Sequence, residues 1–426
     1  MRLVPHVVAW NLTRRCNLAC AHCYIAAGSW HAGEEELPTE ACLRIVDEIL
    51  AVNPAPMLIL SGGEPLLRRD LEEIAGRAAR GGATVVVGTN GTRLTGERIA
   101  SLQGAGVSGV AVSVDSLDAS YHDRFRHGQD ALSDTLAAIP RLRARGLDFI
   151  VQTTVTRGNR TELAMIAEWA AGEGAVAFNV YFLVATGRAE GMRGLTPAEN
   201  EEVLGELVAL ERRWRGRMMV RSKCMPAIMR RVHEDDSGSP LLAYATRCPC
   251  GVQYCRITPD GKVTPCPYLP VVAGDLSESS FGEIWRESEV FARLRDGALE
   301  GRCGACEYRV VCGGCRARAY AESGDALAED PACGYEPRPA REVVRPPAAV
   351  RYGDPADPGL PWDEDARARI ERVPSFVRGV VAARVEAYAA ERGHARVSPE
   401  LLDEVRSAMP VDFSKARPFF LRRNRE

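Results

Sequence analysis

The chain has 426 residues, 46% of them hydrophobic, and a formal net charge of −3. That length is more than one ordinary domain needs, so two or three domains are expected around a sizeable core. Charged residues make up 26% and are mixed in sign. They leave no basic surface for nucleic acid or an anionic membrane, and no apolar run approaches the ~20 residues needed to cross a bilayer. The start, MRLVPHVVAWNLTRRC, has no apolar signal region before a small-residue cleavage site, so a cytoplasmic protein is expected. Fourteen cysteines in a reducing compartment imply bound metal rather than disulfides.

From Pro5 to about Leu183, short apolar runs alternate with amphipathic stretches, the pattern of repeated βα units around a parallel sheet. Six strands can be counted: HVVAWNL, MLILSG, TVVVGTNG, GVAVSVDS, FIVQTTVT and FNVYFLV. Between them, Cys42, Ile45, Val46 and Ile49 recur at helical spacing, and a second helix ends at a glycine suited to a C-cap, Gly146. Six such units predict an α/β fold, a partial (β/α)6 barrel with functional loops at the carboxyl ends of its strands. Residues from about 196 to 246 read as helical and connecting. From Arg247 to about Tyr335 the chain is rich in Cys, Gly and Pro with little periodicity, as expected of a segment folded around metal. A Pro-rich link leads to a helical tail in which Ile370, Val373, Val377, Val381, Val385 and Tyr388 recur at three- and four-residue steps. Gly393 ends that run, and Ser398, Pro399 and Glu400 can start another helix.

Cys16, Cys20 and Cys23 follow directly on the first strand. Three thiolates are one short of a closed site, so a four-iron cluster held there keeps one iron open; zinc completed by His22 is the alternative from these residues alone. The triplet, with Tyr24, resembles the radical S-adenosylmethionine (SAM) family, and four further points carry the likeness. Gly62-Gly63-Glu64-Pro65 follows strand two and looks like the motif that meets the SAM amino group, with Glu64 able to accept from an ammonium. Asn90 after strand three, Ser113 and Asp115 after strand four, and Gln152 with Thr154 on strand five match the family's positions around the rest of SAM. The resemblance implies a 4Fe–4S cluster on Cys16, Cys20 and Cys23 that cleaves SAM to a 5′-deoxyadenosyl radical, supplied with electrons by a partner such as ferredoxin or flavodoxin.

The later cysteines are Cys248, Cys250, Cys255, Cys266, Cys303, Cys306, Cys312, Cys315 and Cys333, while Cys42 and Cys224 stand alone. Two CxxC pairs five residues apart also suit a zinc ribbon. The array resembles the SPASM domain that follows many radical SAM barrels, although two rather than three residues separate Cys312 from Cys315. The likeness implies one or two auxiliary 4Fe–4S clusters. The first would use Cys248 or Cys250 with Cys255, Cys266 and Cys315, and the second Cys303, Cys306, Cys312 and Cys333. On this basis the chain divides into a barrel (1–215), a helical linker (216–246), a SPASM domain (247–336), a Pro-rich linker (337–358) and a small all-α unit (359–426).

YCRITPDGKVTPCPYLP and CEYRVVCGGCRARAY resemble the tetrapyrrole-modifying enzymes of the haem and haem d1 routes, and residues 360–406 resemble the C-terminal domain of the light-independent protochlorophyllide reductase catalytic subunit. The resemblance implies oxidative decarboxylation or side-chain removal on an iron tetrapyrrole, with Arg316 and Arg318 as candidate partners for propionates. Alternatives are a maturase that cross-links or epimerises a peptide, and a maturase of another metalloenzyme such as a tungsten oxidoreductase. In sulfatase-maturing relatives an aspartate follows the GxxxxC cysteine, where this chain has Pro267.

Overall fold

The computed structural model describes residues 3–31, 36–239, 241–242, 247–338, 340–345, 359–371 and 373–408. Seven parallel strands lie side by side in chain order: β1 (Val7–Asn11), β2 (Met57–Ser61), β3 (Thr84–Thr89), β4 (Gly109–Ser113), β5 (Asp148–Val155), β6 (Ala177–Phe182) and β7 (Met219–Lys223). The helices that cross between them are α1 (Thr39–Val52), α2 (Leu71–Arg80), α3 (Gly96–Gly104), α4 (Ala119–Arg126), α5 (Ala131–Arg145), α6 (Leu163–Gly172) and α7 (Pro197–Trp214). Helix α1 buries Cys42, Ile45, Val46 and Ile49, the residues whose spacing predicted it, and α5 stops at Gly146, whose φ of 62° is left-handed.

The architecture is the expected partial α/β barrel, with one strand more than the six counted. β7 lies inside the stretch read as helical and connecting; with only five residues, MVRSK, and two of them cationic, it carries no long apolar signal. After it come α8 (Ile228–Asp235) and β8 (Tyr254–Ile257), which pairs in parallel with the free side of β1. β9 (Lys262–Thr264) and β10 (Gly274–Asp275) extend that edge antiparallel. Short helices follow: α9 (Phe281–Glu287), α10 (Glu289–Asp296), α11 (Gly301–Ala305) and α12 (Arg316–Ser323).

Strand residues alternate between two faces. Val8, Trp10, Leu58, Leu60, Val85, Val87, Val110, Val112, Phe149 and Phe178 face the helices in the main core. Burial of each large side chain of this kind contributes about 1.5–3 kcal/mol. The opposite face looks into the lumen.

The C-terminal unit contains α13 (Glu364–Glu371), α14 (Ser375–Glu391) and α15 (Pro399–Ala408). The apolar run from Ile370 to Tyr388 is therefore two helices rather than one. Pro374 divides them, because its ring has no N–H to give a helix interior, and it stands as the N-cap of α14. The unit has its own core of Trp362, Ala366, Ala382, Val385, Val397 and Leu401. Its position was not foreseen: the first turn of α14 closes the barrel at the amino ends of the strands. Phe376 and Val377 pack on Val86, Ala111, Ile150 and Ala177. Beside them Ser375 Oγ accepts from Asn53 Nδ2 at 2.8 Å and pairs with His6 Nδ1 at 2.9 Å, while Ser375 N donates to the Ala55 carbonyl at 2.9 Å. Most of the Pro-rich link (346–358) and the last residues of the chain (409–426) lie outside the described residues.

Phe376→Ala is expected to weaken the docking of α14 by about 3–5 kcal/mol, the cost of emptying a buried aromatic site. Amide exchange checks this: protection should fall in α14 and persist in β2 to β5.

Candidate active site

The loop after β1 is tied at both ends. Cys16 N donates to the Gly28 carbonyl at 3.2 Å, and Arg188, from beyond β6, donates through Nε to the Cys20 carbonyl at 2.8 Å and through Nη1 to the Ala27 carbonyl at 2.7 Å. Backbone amides reach two of the sulfurs: Leu18 N lies 3.4 Å from Cys16 Sγ and Ala27 N 3.3 Å from Cys23 Sγ. Arg126 Nη1 approaches Cys20 Sγ at 3.9 Å. Burial pushes the Cys16 thiol up to about 12, so a metal bound there has to displace its proton. His22, the zinc alternative, stacks on Phe125 with ring centroids 4.5 Å apart.

Gly62 and Gly63 run against this loop. Gly63 N donates to the Thr13 carbonyl at 2.7 Å and Glu64 N to the Arg15 carbonyl at 2.8 Å. A Cβ on Gly62 would sit 2.5 Å from Thr13 O, and one on Gly63 2.2 Å from Arg15 O, so only glycine permits the approach. The Glu64 side chain does not face the cavity, contrary to the expectation that it meets an ammonium. It is fully buried and accepts from Leu66 N at 3.1 Å, Thr89 Oγ1 at 2.8 Å and Asn90 N at 2.9 Å, which fastens the β2 and β3 loops together. Pro65 is buried at the start of the turn that follows. Asp115 is likewise internal: Arg126 Nη2 pairs with it at 2.7 Å and Thr154 N donates to it at 2.7 Å. Its charge thereby orients the guanidinium that reaches Cys20 Sγ.

The remaining residues line one cavity of about 2620 Å³, far larger than the roughly 300–1,000 Å³ of an ordinary small-molecule site. Cys16, Cys20, Cys23, Gly62 and Gly63 lie on it, with Asn90, Ser113, Gln152 and Thr154. Tyr24 also lines it; its hydroxyl accepts from Asn11 Nδ2 at 2.7 Å, and its ring lies 5.0 Å from that of Tyr268. Three thiols from one loop, a glycine cradle and an adjoining cavity that Asn90, Ser113, Gln152 and Thr154 line fit a four-iron cluster that keeps one site open for SAM.

Cys248, Cys250, Cys266 and Cys315 also line this cavity, in a separate apolar cluster that Cys224 joins. The Cys250 thiol donates to Cys248, which lowers the Cys248 thiol from its ordinary value. Cys255, expected among these ligands, is directed elsewhere. On β8 it pairs with Val8, and like Val8 it points into the helix-facing core, fully buried among apolar side chains. Tyr254 takes the cavity side in its place. Cys303, Cys306, Cys312 and Cys333 surround a second, small cavity of about 30 Å³. Here Tyr308 N approaches Cys306 Sγ at 3.4 Å, Gly314 N approaches Cys312 Sγ at 3.5 Å, and Asp330 N approaches Cys303 Sγ at 3.4 Å. Arg316 and Arg318 are committed internally rather than open to a propionate. Arg318 pairs with buried Asp330 at 3.0 Å and donates to the Cys224 carbonyl, while Arg316 donates to the Ala326 and Ala328 carbonyls.

Arg126, Arg188 and Cys224 carry no motif, and only their placement shows what they do. Cys224 is the clearest case: isolated in sequence, it stands at the end of β7 with a left-handed φ of 59° and meets cysteines from beyond residue 247.

Family models match this arrangement along the chain: the radical SAM superfamily over residues 10–170, an iron–sulfur cluster-binding domain over 248–307, and the proto-chlorophyllide reductase 57 kD subunit over 362–406. The chain belongs to the radical SAM superfamily and is a radical SAM enzyme, taking SAM at a 4Fe–4S cluster and carrying auxiliary 4Fe–4S clusters in a SPASM domain. It is 41% identical over 348 residues to the AdoMet-dependent heme synthase of Methanosarcina barkeri (strain Fusaro / DSM 804), an alignment that spans 79% of this chain and 98% of that protein. It is 32% identical over 382 residues to the pre-heme d1 synthase of Dinoroseobacter shibae (strain DSM 16493 / NCIMB 14021 / DFL 12), spanning 83% and 92%. The fold matches Streptococcus suis SuiB bound to S-adenosylmethionine with a TM-score of 0.62, at 12% identity and over 78% of each chain. Among the described residues no helix is long and apolar enough to cross a membrane.

Two outcomes are expected of this geometry. Cys255→Ala leaves the iron content of anaerobically reconstituted protein unchanged, whereas Cys266→Ala lowers it. Asp115→Ala, which strands Arg126 in the interior, costs about 3–5 kcal/mol, measured by chemical denaturation.

Proposed function

We propose that the enzyme modifies a side chain of an iron tetrapyrrole, removing a carboxyl group or a whole side chain by oxidation. One observation carries the reading: Cys16, Cys20 and Cys23 and the thiols Cys248, Cys250, Cys266 and Cys315 open onto the same cavity, with tyrosines between them. A substrate lying there has a radical source on one side and an electron outlet on the other. Similarity to the AdoMet-dependent heme synthase and the pre-heme d1 synthase supports the tetrapyrrole as substrate.

In this proposal Cys16, Cys20 and Cys23 hold the SAM cluster, and SAM meets the backbone of Gly62 and Gly63 together with Asn90, Ser113 and Gln152. Glu64, Pro65 and Asp115 shape that site from behind. One auxiliary cluster takes its ligands from Cys248, Cys250, Cys266 and Cys315, the other from Cys303, Cys306, Cys312 and Cys333. When bound, the first cluster and SAM supply a 5′-deoxyadenosyl radical. For a propionate side chain, loss of one hydrogen atom, one electron and carbon dioxide leaves a vinyl group. The electron has to leave through a redox partner, which is the role an auxiliary cluster suits. An external one-electron donor, of the ferredoxin or flavodoxin class, supplies the electron that SAM cleavage consumes.

The test is anaerobic incubation of reconstituted enzyme with dithionite, SAM and iron-coproporphyrin. The expected products are 5′-deoxyadenosine and a tetrapyrrole lighter by carbon dioxide and two hydrogens per propionate. An unaltered tetrapyrrole beside abundant 5′-deoxyadenosine would remove the substrate assignment and leave the radical chemistry standing.

A further inference from the structure

Beside Cys266 the interior holds a cation with no anion of its own. Arg256 stands on β8 between Cys255 and Ile257, which both enter the helix-facing core, so its side chain leaves the strand on the lumen side, as that of Tyr254 does. It is in register with Ala9 of β1 on one side and Thr264 of β9 on the other, and it is only 8% exposed. Two contacts fix where the guanidinium lies. Nη1 donates to the carbonyl of Pro267, the residue after Cys266, at 3.1 Å, and the guanidinium carbon sits 5.7 Å from the ring of Tyr24, the residue after Cys23. Nε is buried without a hydrogen-bond partner. Among the described residues no carboxylate forms an ion pair with Arg256; the acid that acts on it from further off is Asp260, exposed in the turn between β8 and β9. A buried guanidinium that keeps its charge is costly unless a counter-charge meets it. The second cysteine array is different, because charges of both signs reach its sulfurs: Arg316 Nη2 lies 3.7 Å from Cys303 Sγ, and Glu307 accepts from Cys306 at 3.7 Å.

We infer that Arg256 is the counter-charge of the auxiliary cluster that Cys266 helps to hold, and that it sets the reduction potential of that cluster. Iron–sulfur potentials follow the charge and hydrogen bonding around the sulfurs. A cation there favours the reduced cluster, the more negative of its two states, and so raises the potential. The inference rests on the electron-outlet role given to this cluster above and names the residue that equips it for that role. With Nε buried and Nη1 committed to Pro267, the charge acts at Cys266 rather than on a substrate side chain. Arg256 is a positioning residue: it acts through the cluster, and its effect is read as a potential.

The experiment is a potentiometric titration of anaerobically reconstituted, full-length enzyme, followed by electron paramagnetic resonance, for wild type, R256M and R256K in the absence of substrate. The signal lost in C266A identifies the cluster concerned. At the potential that half-reduces this cluster in wild type, R256M should show a reduced-to-oxidised ratio about tenfold lower, a midpoint fall of about 59 mV for a one-electron couple. R256K keeps the charge and should stay near wild type, and the signal lost in C303A should keep its midpoint in both variants. An R256M midpoint equal to that of wild type overturns the inference. An equal fall in R256M and R256K overturns it as well, because the cause is then the contact with Pro267 and not the charge. Where R256M fails to keep this cluster, the iron content decides: retention in R256K supports the inference, and loss in both variants overturns it. The tetrapyrrole reading survives all of these results, since none involves substrate. Undiminished iron in C266A removes the cluster from this site, and the inference falls with it.

Discussion

Side chains on a β-strand must alternate between its two faces, and in a curved parallel sheet that alternation decides what becomes core and what becomes site. The helix-facing set is large and apolar, with Trp10, Leu60, Val87, Val112, Phe149 and Phe178. On the lumen side Ala9, Ser61, Gly88 and Ser113 are small, so the strands carry little bulk inward and a cavity of about 2620 Å³ remains. The same rule sends Cys255 into the core with Val8, and brings Tyr254 and Lys223 into the lumen. A one-residue slip in β8 would exchange the positions of Cys255 and Tyr254.

An open lumen needs closing at its amino end. Here the closure is the start of α14, where Phe376 and Val377 occupy the base and Ser375 joins Asn53 and His6 in a buried hydrogen-bonded group. The polar group matters because the amino ends of the strands expose backbone carbonyls and amides that an apolar plug alone would leave unsatisfied. The C-terminal unit thus stands at the opposite end of the strands from the cysteine loop.

At the carboxyl end the order is electrostatic. Glu64 and Asp115 are both buried carboxylates, and each is satisfied within the protein: Glu64 by a hydroxyl and two backbone amides, Asp115 by Arg126 and a backbone amide. They lock the loops after β2, β3 and β4 into one frame. Backbone amides and Arg126 then point at the cysteine sulfurs, an environment that stabilises thiolates once metal has displaced their protons.

Much of this was legible in the sequence, and the reason is periodicity and local spacing. Six strands, helix α1 with its buried face, the C-cap at Gly146 and the cysteine triplet all depend on residues close together in the chain. Glycines at 62 and 63 were likewise readable, because only a close backbone approach requires two of them there. What the sequence could not show is direction and long-range company. Glu64 and Asp115 stand in the expected loops yet face inward; Cys255 stands in the expected array yet faces the core; Cys224 carries no motif and acquires meaning only because β7 joins the sheet beside β6. Local chemistry is written in short-range spacing, whereas the choice between two faces of a strand, and between a solvated and a committed arginine, is made by packing among residues hundreds of positions apart.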